Sequence, residues 1–186
     1  MSDDTTPRLP DGSFWLFGYG SLIWRPDLPW VERRPATLAN WSRRFWQGSH
    51  DHRGTPEAPG RVVTLVETPG RHCAGMAYRV APQAADRVLD ALDHREKNGY
   101  QRHTLPLLAG QDIALTALVY VAAANNFAWL GPAPEAEIAA QISRAHGPSG
   151  ANRDYLLELA AALRELGVED DHVCAIAAKL PEKLNG

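Results

Sequence analysis

In the stretch VLDALDHREKNGY, Val88 to Tyr100, one acid stands on a face where its helix should be apolar. With each residue turning about 100° and Val88 set at zero, Ala85, Leu89 and Leu92 fall near roughly 60°, 100° and 40°. They make one apolar stripe. Asp86, Asp90 and Lys97 fall near roughly 160°, 200° and 180° and face away. Glu96 falls near roughly 80°, inside the stripe. Periodicity leaves two readings open. In one, an acid in the last turn opposes the helix dipole, bends out to water, or pairs with Arg95 or Arg102. In the other, a carboxylate is held in a poorly solvated pocket, where lost hydration raises its pKa and makes it a usable general base.

A second candidate is FGYGSLIW, which puts Gly18, Gly20 and Ser21 directly after an apolar strand. Glycines in such a turn let backbone N–H groups converge on an anion without side chains in the way. Other phosphate and nucleophile motifs fail here. Ile23 stands where a dinucleotide fingerprint needs glycine, no Gly-Lys-Ser/Thr follows, and Tyr19 stands where a nucleophile elbow needs glycine. The polar segment QGSHDHRGTPEAPGRV offers His50 and His52 as a metal pair, but no third ligand stands at a recognisable spacing. The plainer expectation is a surface loop in which Asp51 and Arg53 hydrogen-bond locally. HGPSGANRDYL reads as a turn and helix start, with Tyr155 and most of the six tryptophans expected in the core.

The elements that must position these residues are short. FWLFGYG, GRVVTLVE, CAGMAYRV, RHTLPLL and IALTALVYVAA read as strands, and ATLANWSRRFWQ as another strand or pair. One helix precedes residue 130, with Pro82 and Gln83 in its first turn and Asn98-Gly99 as its stop. From Pro134 the texture turns helical, as PEAEIAAQISRAH, ANRDYLLELAAALRELG and EDDHVCAIAAKL. An α+β fold follows, strand-rich with a helical C-terminal third. The expected organisation is a loose tail over 1–12 and a single domain over 13–186.

At 45% apolar and 22% charged residues, with net charge −3, the chain is ordinary for a globular domain and gives no sign of a nucleic-acid partner. No apolar run is long enough to span a bilayer, and the acidic start MSDDTTPRLPDGS is unlike a signal peptide. Cys73 and Cys174 lie far apart, which indicates neither a zinc site nor a disulfide framework. A cytoplasmic monomer is the expected setting.

Taken in order, FGYGSLIWRPD, RRFWQGSHDHRGTPEAPGRVVTL, AYRV, LDHREKNGY and GPSGANRDYL resemble the ChaC-like γ-glutamylcyclotransferases, from about Phe14 to the last helix. One departure is His50, where many relatives have Thr before the Asp-His-Arg-Gly run. The resemblance implies a small mixed β-barrel flanked by helices. It also implies an activity, glutathione cleaved to 5-oxoproline and cysteinylglycine without cofactor or metal. It assigns binding of the γ-glutamyl group to Tyr19, Gly20, Ser21 and Leu22, with Gly18 and Ile23 flanking them, and acid/base catalysis to Glu96. Arg53, Tyr100 and Tyr155 are candidates to complete the pocket. Two alternatives remain at this point: a cyclotransferase for other γ-glutamyl amino acids or amines, and a non-catalytic regulator of cation transport.

Overall fold

In the computed structural model, which describes residues 6–182, the apolar run Phe14–Gly18 becomes strand β1, buried on both faces. β2 (Glu32–Ser49) and β3 (Gly60–Val80) form one long antiparallel hairpin, in register from Glu32 opposite Arg79 to Ser49 opposite Gly60. β4 (Gln101–Ala109) and β5 (Ile113–Val121) form a second. The sheet runs β1-β3-β2-β4-β5 and closes when β5 meets β1 in parallel, at Trp15 opposite Ala117 and Leu16 opposite Leu118. A single parallel seam makes the barrel mixed, and closure leaves no edge exposed.

The two separate strands expected over 60–67 and 73–80 are one strand that bends without breaking. Register shifts fall between Ala39 and Trp41 and between Arg44 and Gln47. At the first, Asn40 takes a left-handed conformation (φ 66°) and its side chain accepts a 3.0 Å hydrogen bond from the Gly70 N–H. Bulges of this kind let long strands curl into a small barrel.

Helix α1 (Ala85–Arg95) follows a short 3₁₀ turn at Pro82–Ala84. Its stripe of Val88, Leu89 and Leu92 packs on Phe14, Leu16, Val80 and Leu118. Trp15 and Phe17, on the opposite face of β1, join the larger core. That core extends to α2 (Glu135–Arg144), α3 (Asn152–Glu165) and α4 (Asp171–Ala178) through Ile138, Ile142, Leu156, Leu159, Leu163 and Ile176. Between α2 and α3 the chain makes a two-residue pairing of β6 (His146–Gly147) with β7 (Gly150–Ala151). No helix among the described residues is long and apolar enough to cross a membrane.

The loose tail expected over 1–12 needs correction for its second half. Residues 1–5 lie outside the described residues. Leu9 packs on the core and its N–H reaches the Ser13 carbonyl at 2.7 Å, while Arg8 pairs with Asp86 at 3.1 Å and Asp11 with Arg79 at 2.5 Å. Acidic and polar composition suggested a solvated tail, but one leucine and two ion pairs across to β3 and α1 fasten it.

Arg43 on β2 is wholly buried and joins three parts of the molecule. Its Nε donates to the Tyr19 carbonyl at 2.7 Å, one terminal nitrogen donates to the Ala74 carbonyl, and the other pairs with Asp170 at 2.7 Å. Asp170 in turn caps α4 by accepting from the Val173 N–H. The guanidinium fork satisfies all three, which a point charge would not. Replacing Arg43→Met strands a mostly buried carboxylate and two carbonyls, so urea unfolding should show a loss of about 3–5 kcal/mol. The double change with Asp170→Asn should recover part of it, and a loss below about 1 kcal/mol would show the knot to be dispensable.

Candidate active site

A cavity of about 380 Å³ opens beside the barrel, between the turn after β1, the end of α1, the β2–β3 loop and the start of α3. Helix α1 stops at Arg95, one residue short of the acid, yet Glu96 keeps the helical phase. Its N–H reaches the Leu92 carbonyl at 2.8 Å, and its own carbonyl accepts from the Tyr100 N–H at 3.3 Å. The side chain therefore stays on the side of the apolar stripe, with 17% of its surface exposed. Gly99 makes the return into β4 with φ 91°, where a Cβ would lie 2.4 Å from Asn126 Oδ1. The side chain of Gln47 clamps this turn through the Asn98 carbonyl at 2.8 Å and Asn126 at 3.0 Å.

Of the two ion-pair partners suggested by the sequence, only Arg95 comes near Glu96, and loosely. Arg102 is committed to Asp93. Arg95 Nε stands 3.8 Å from the carboxylate, but its guanidinium is directed to the Ser21 hydroxyl at 2.7 Å and the Arg25 carbonyl at 3.2 Å. Burial pushes the Glu96 pKa up from 4.5 to about 7, with Arg95 pulling it down and Asp51 pushing it further up.

The turn after β1 is anchored through its carbonyls and side chains. Tyr19 donates to the Tyr120 carbonyl at 2.6 Å, Tyr78 donates to the Leu22 carbonyl at 2.7 Å, and Arg43 and Arg95 hold Tyr19 and Ser21. The N–H groups of Gly20, Ser21 and Leu22, which line the cavity, meet no acceptor among the described residues. Gly20 lies against α3, where a Cβ would be 3.0 Å from the Tyr155 hydroxyl oxygen. The structure does not bring Gly18 and Ile23 to the cavity. Gly18 ends β1 with Leu22 folded over it, and Ile23 turns into the core.

Arg53, Tyr100 and Tyr155 all line the cavity. Arg53 does not bond only locally. It reaches the Ala151 carbonyl at 3.1 Å and lies 5.7 Å over the Tyr155 ring. Tyr155 does pack in the core, against Phe45 and Trp24, while its hydroxyl faces the site and accepts from the Val63 N–H at 3.4 Å. Tyr100 donates to the Val63 carbonyl at 2.7 Å. Burial raises all three tyrosine hydroxyls, Tyr19 and Tyr100 well above the ordinary range and Tyr155 to about 12, so each stays protonated near neutral pH.

Asp51, Asn98 and Trp24 also line the cavity and were not singled out as site residues from the sequence. Asp51 and Trp24 reach the cavity from the β2–β3 loop and the turn after β1, so only the tertiary fold brings them to it, whereas Asn98 stands two residues from Glu96. His52 meets the Ser149 hydroxyl at 3.1 Å and His50 lies beside Phe127. The described residues contain no cluster of three His, Cys, Asp or Glu able to hold a metal.

A sequence model for the ChaC-like protein family matches residues 14–183. Gamma-glutamylcyclotransferase 2-3 of Arabidopsis thaliana is 43% identical over 175 residues, covering 89% of this chain and 87% of the relative. Human glutathione-specific gamma-glutamylcyclotransferase 1 is 42% identical over 170 residues, covering 88% and 77%. The crystal structure of a yeast gamma-glutamyl cyclotransferase specific to glutathione superposes with a TM-score of 0.86 at 30% identity, covering 91% of this chain and 96% of the other. A structure named gamma-glutamyl cyclotransferase superposes at 0.58 with 17% identity, a likeness of fold.

The pKa of Glu96 has a consequence for stability. The folded state holds the proton up to about pH 7, whereas the unfolded chain releases it near 4.5, so stability falls as pH rises through that interval. The loss is roughly 3 kcal/mol at about 1.4 kcal/mol per pKa unit. Glu96→Gln has no such loss. Its melting temperature should match the parent at pH 5 and exceed it by several degrees at pH 8.5. Equal melting at both pH values would mean that Glu96 is well solvated.

Proposed function

The chain belongs to the ChaC-like family, and from that premise we propose that it cyclises the γ-glutamyl group of glutathione, releasing 5-oxoproline and cysteinylglycine, with Glu96 as the acid/base. The observation that carries this proposal is the Glu96 carboxyl, its pKa raised by burial, in a cavity also lined by Gly20, Ser21 and Leu22, whose N–H groups meet no acceptor among the described residues.

The substrate supplies its own nucleophile. Its α-amine attacks its γ-carbonyl, the C–N bond to the cysteine nitrogen breaks, and a five-membered lactam closes. Water is not consumed, and no bond to the protein forms. One proton leaves the α-ammonium and one is delivered to the departing amine, so a single carboxylate poised near working pH can carry both transfers. The cavity holds the flexible glutamyl chain curled, an intramolecular advantage of several powers of ten.

The backbone donors of the turn suit the α-carboxylate or the oxyanion that forms at the γ-carbon. Tyr155 adds a neutral donor: its oxygen accepts from Val63, and its hydrogen is unspent among the described residues. None of these steps calls for a metal or cofactor. The proposal extends to a cytoplasmic monomer, which sedimentation at working concentration tests.

Incubation with millimolar glutathione should yield 5-oxoproline and cysteinylglycine in equal amounts, at a rate unaffected by EDTA. Free glutamate would instead mean hydrolysis and a different mechanism. Because Glu96 must be ionised to accept the first proton, kcat/KM should rise with pH through about 7. Glu96→Gln should lower kcat by at least about 10²–10⁴-fold while leaving glutathione binding largely intact. Ranking γ-glutamyl amino acids and amines by kcat/KM against glutathione shows how strict the site is.

A further inference from the structure

The proposed substrate carries a single cation, the α-ammonium of its γ-glutamyl end, and cyclisation depends on where that nitrogen sits. Glu96 is a poor sole anchor for it, because a group that must gain and lose a proton cannot also be a constant counter-charge. The cavity wall holds a second carboxylate, Asp51, in the loop between β2 and β3.

Asp51 makes no hydrogen bond among the described residues. Acids in loops ordinarily accept from a nearby backbone N–H, but neither oxygen of Asp51 accepts a hydrogen bond from any described residue, and Oδ1 is shut away from solvent. The donor in its own loop that it might have served, the Arg53 N–H, goes to the Ser49 hydroxyl at 2.9 Å. The imidazole Nε2 of His52 is 3.9 Å from Oδ2, beyond hydrogen-bond distance. Arg53 and Arg95 are engaged with Ala151, the Tyr155 ring and Ser21. Arg25, at the exposed rim, makes no ion pair with it.

A carboxylate that has lost part of its hydration and gained no protein donor is stabilised by a cation that arrives with the ligand. We infer that Asp51 is the ammonium-binding residue of the site, its carboxylate holding the α-ammonium of the γ-glutamyl group while Glu96 moves the proton. The division of labour gives each acid one task. Asp51 holds the nitrogen, and Glu96 exchanges the proton. Asp51 and Glu96 line the same cavity, and the negative charge of Asp51 pushes the Glu96 carboxyl toward its protonated form. This inference rests on the function proposed above.

The test compares glutathione with glutaryl-cysteinylglycine, which differs only in lacking the α-ammonium. Calorimetric Kd values are measured in the slow Glu96→Gln background, with and without Asp51→Asn. With Asp51 present, glutathione should bind about tenfold or more tightly than the des-amino analogue. With Asn, the preference should collapse to near unity while the analogue's own Kd stays unchanged. Asp51→Ser should behave alike. A structural role for Asp51 would weaken both ligands together and leave their ratio intact, which overturns the inference. Turnover by the unmutated protein, measured alongside, separates the two levels. Turnover with an unchanged ratio defeats the role of Asp51 alone, and no turnover of glutathione defeats the proposed function as well.

Discussion

A carboxylate kept from water at the end of a helix is the constraint around which this molecule is arranged. Left to itself, Glu96 would turn outward, because an anion at a helix C-terminus opposes the dipole and gains full hydration in solvent. The surrounding elements prevent this. The stripe of Val88, Leu89 and Leu92 sets the rotation of α1 on the barrel, and Gln47 with Gly99 fixes the turn that follows. Arg95 spends its hydrogen bonds on the β1 turn and meets its neighbour Glu96 only at 3.8 Å. The energy that makes Glu96 reactive is energy the fold supplies by packing elsewhere.

Two buried arginines show where that rigidity comes from. Arg43 ties the turn after β1 to β3 and α4. Arg61 at the start of β3 donates to the carbonyls of Phe45 and Gly131, both at 2.9 Å, and to Gln141 of α2 at 2.7 Å. Each guanidinium spends its donors on carbonyls or side chains of several segments at once, which welds the helical layer to the barrel. Because Arg43 holds the Tyr19 carbonyl, the turn is fastened while the N–H groups of Gly20, Ser21 and Leu22 meet no acceptor among the described residues. Anchoring by carbonyl and side chain, with donors kept free, is the preorganisation that a charge-stabilising turn requires.

What the sequence made legible follows from how local each signal is. The inward direction of Glu96 depends only on helical phase, and it survives even though the helix ends one residue early. The glycine turn was readable as a segment because its residues are adjacent in sequence, and Tyr19 to Leu22 line the cavity together. Flanking residues were not: Gly18 and Ile23 differ from Gly20 and Leu22 only in which way the chain turns after β1. β3 looked like two strands because Pro69-Gly70 resembles a break, whereas the chain bends there without ending the strand. Asp51 lay beyond reach as a cavity residue, since the tertiary fold brings it to the same cavity as Glu96 across 45 residues of chain. The tail from Thr6 to Gly12 was misjudged because two ion pairs and one leucine outweighed a polar composition.

Titration of Glu96 itself is the most direct measure of the central constraint. The protein carrying ¹³Cδ-labelled glutamate, with the resonance assigned by its loss in Glu96→Gln, can be followed from pH 3 to 9 without any substrate. A carboxylate held in this cavity should titrate near 7, apart from the solvent-exposed glutamates. A Glu96 resonance with its midpoint near the ordinary 4.5 would contradict the constraint, and with it the acid/base role built on it.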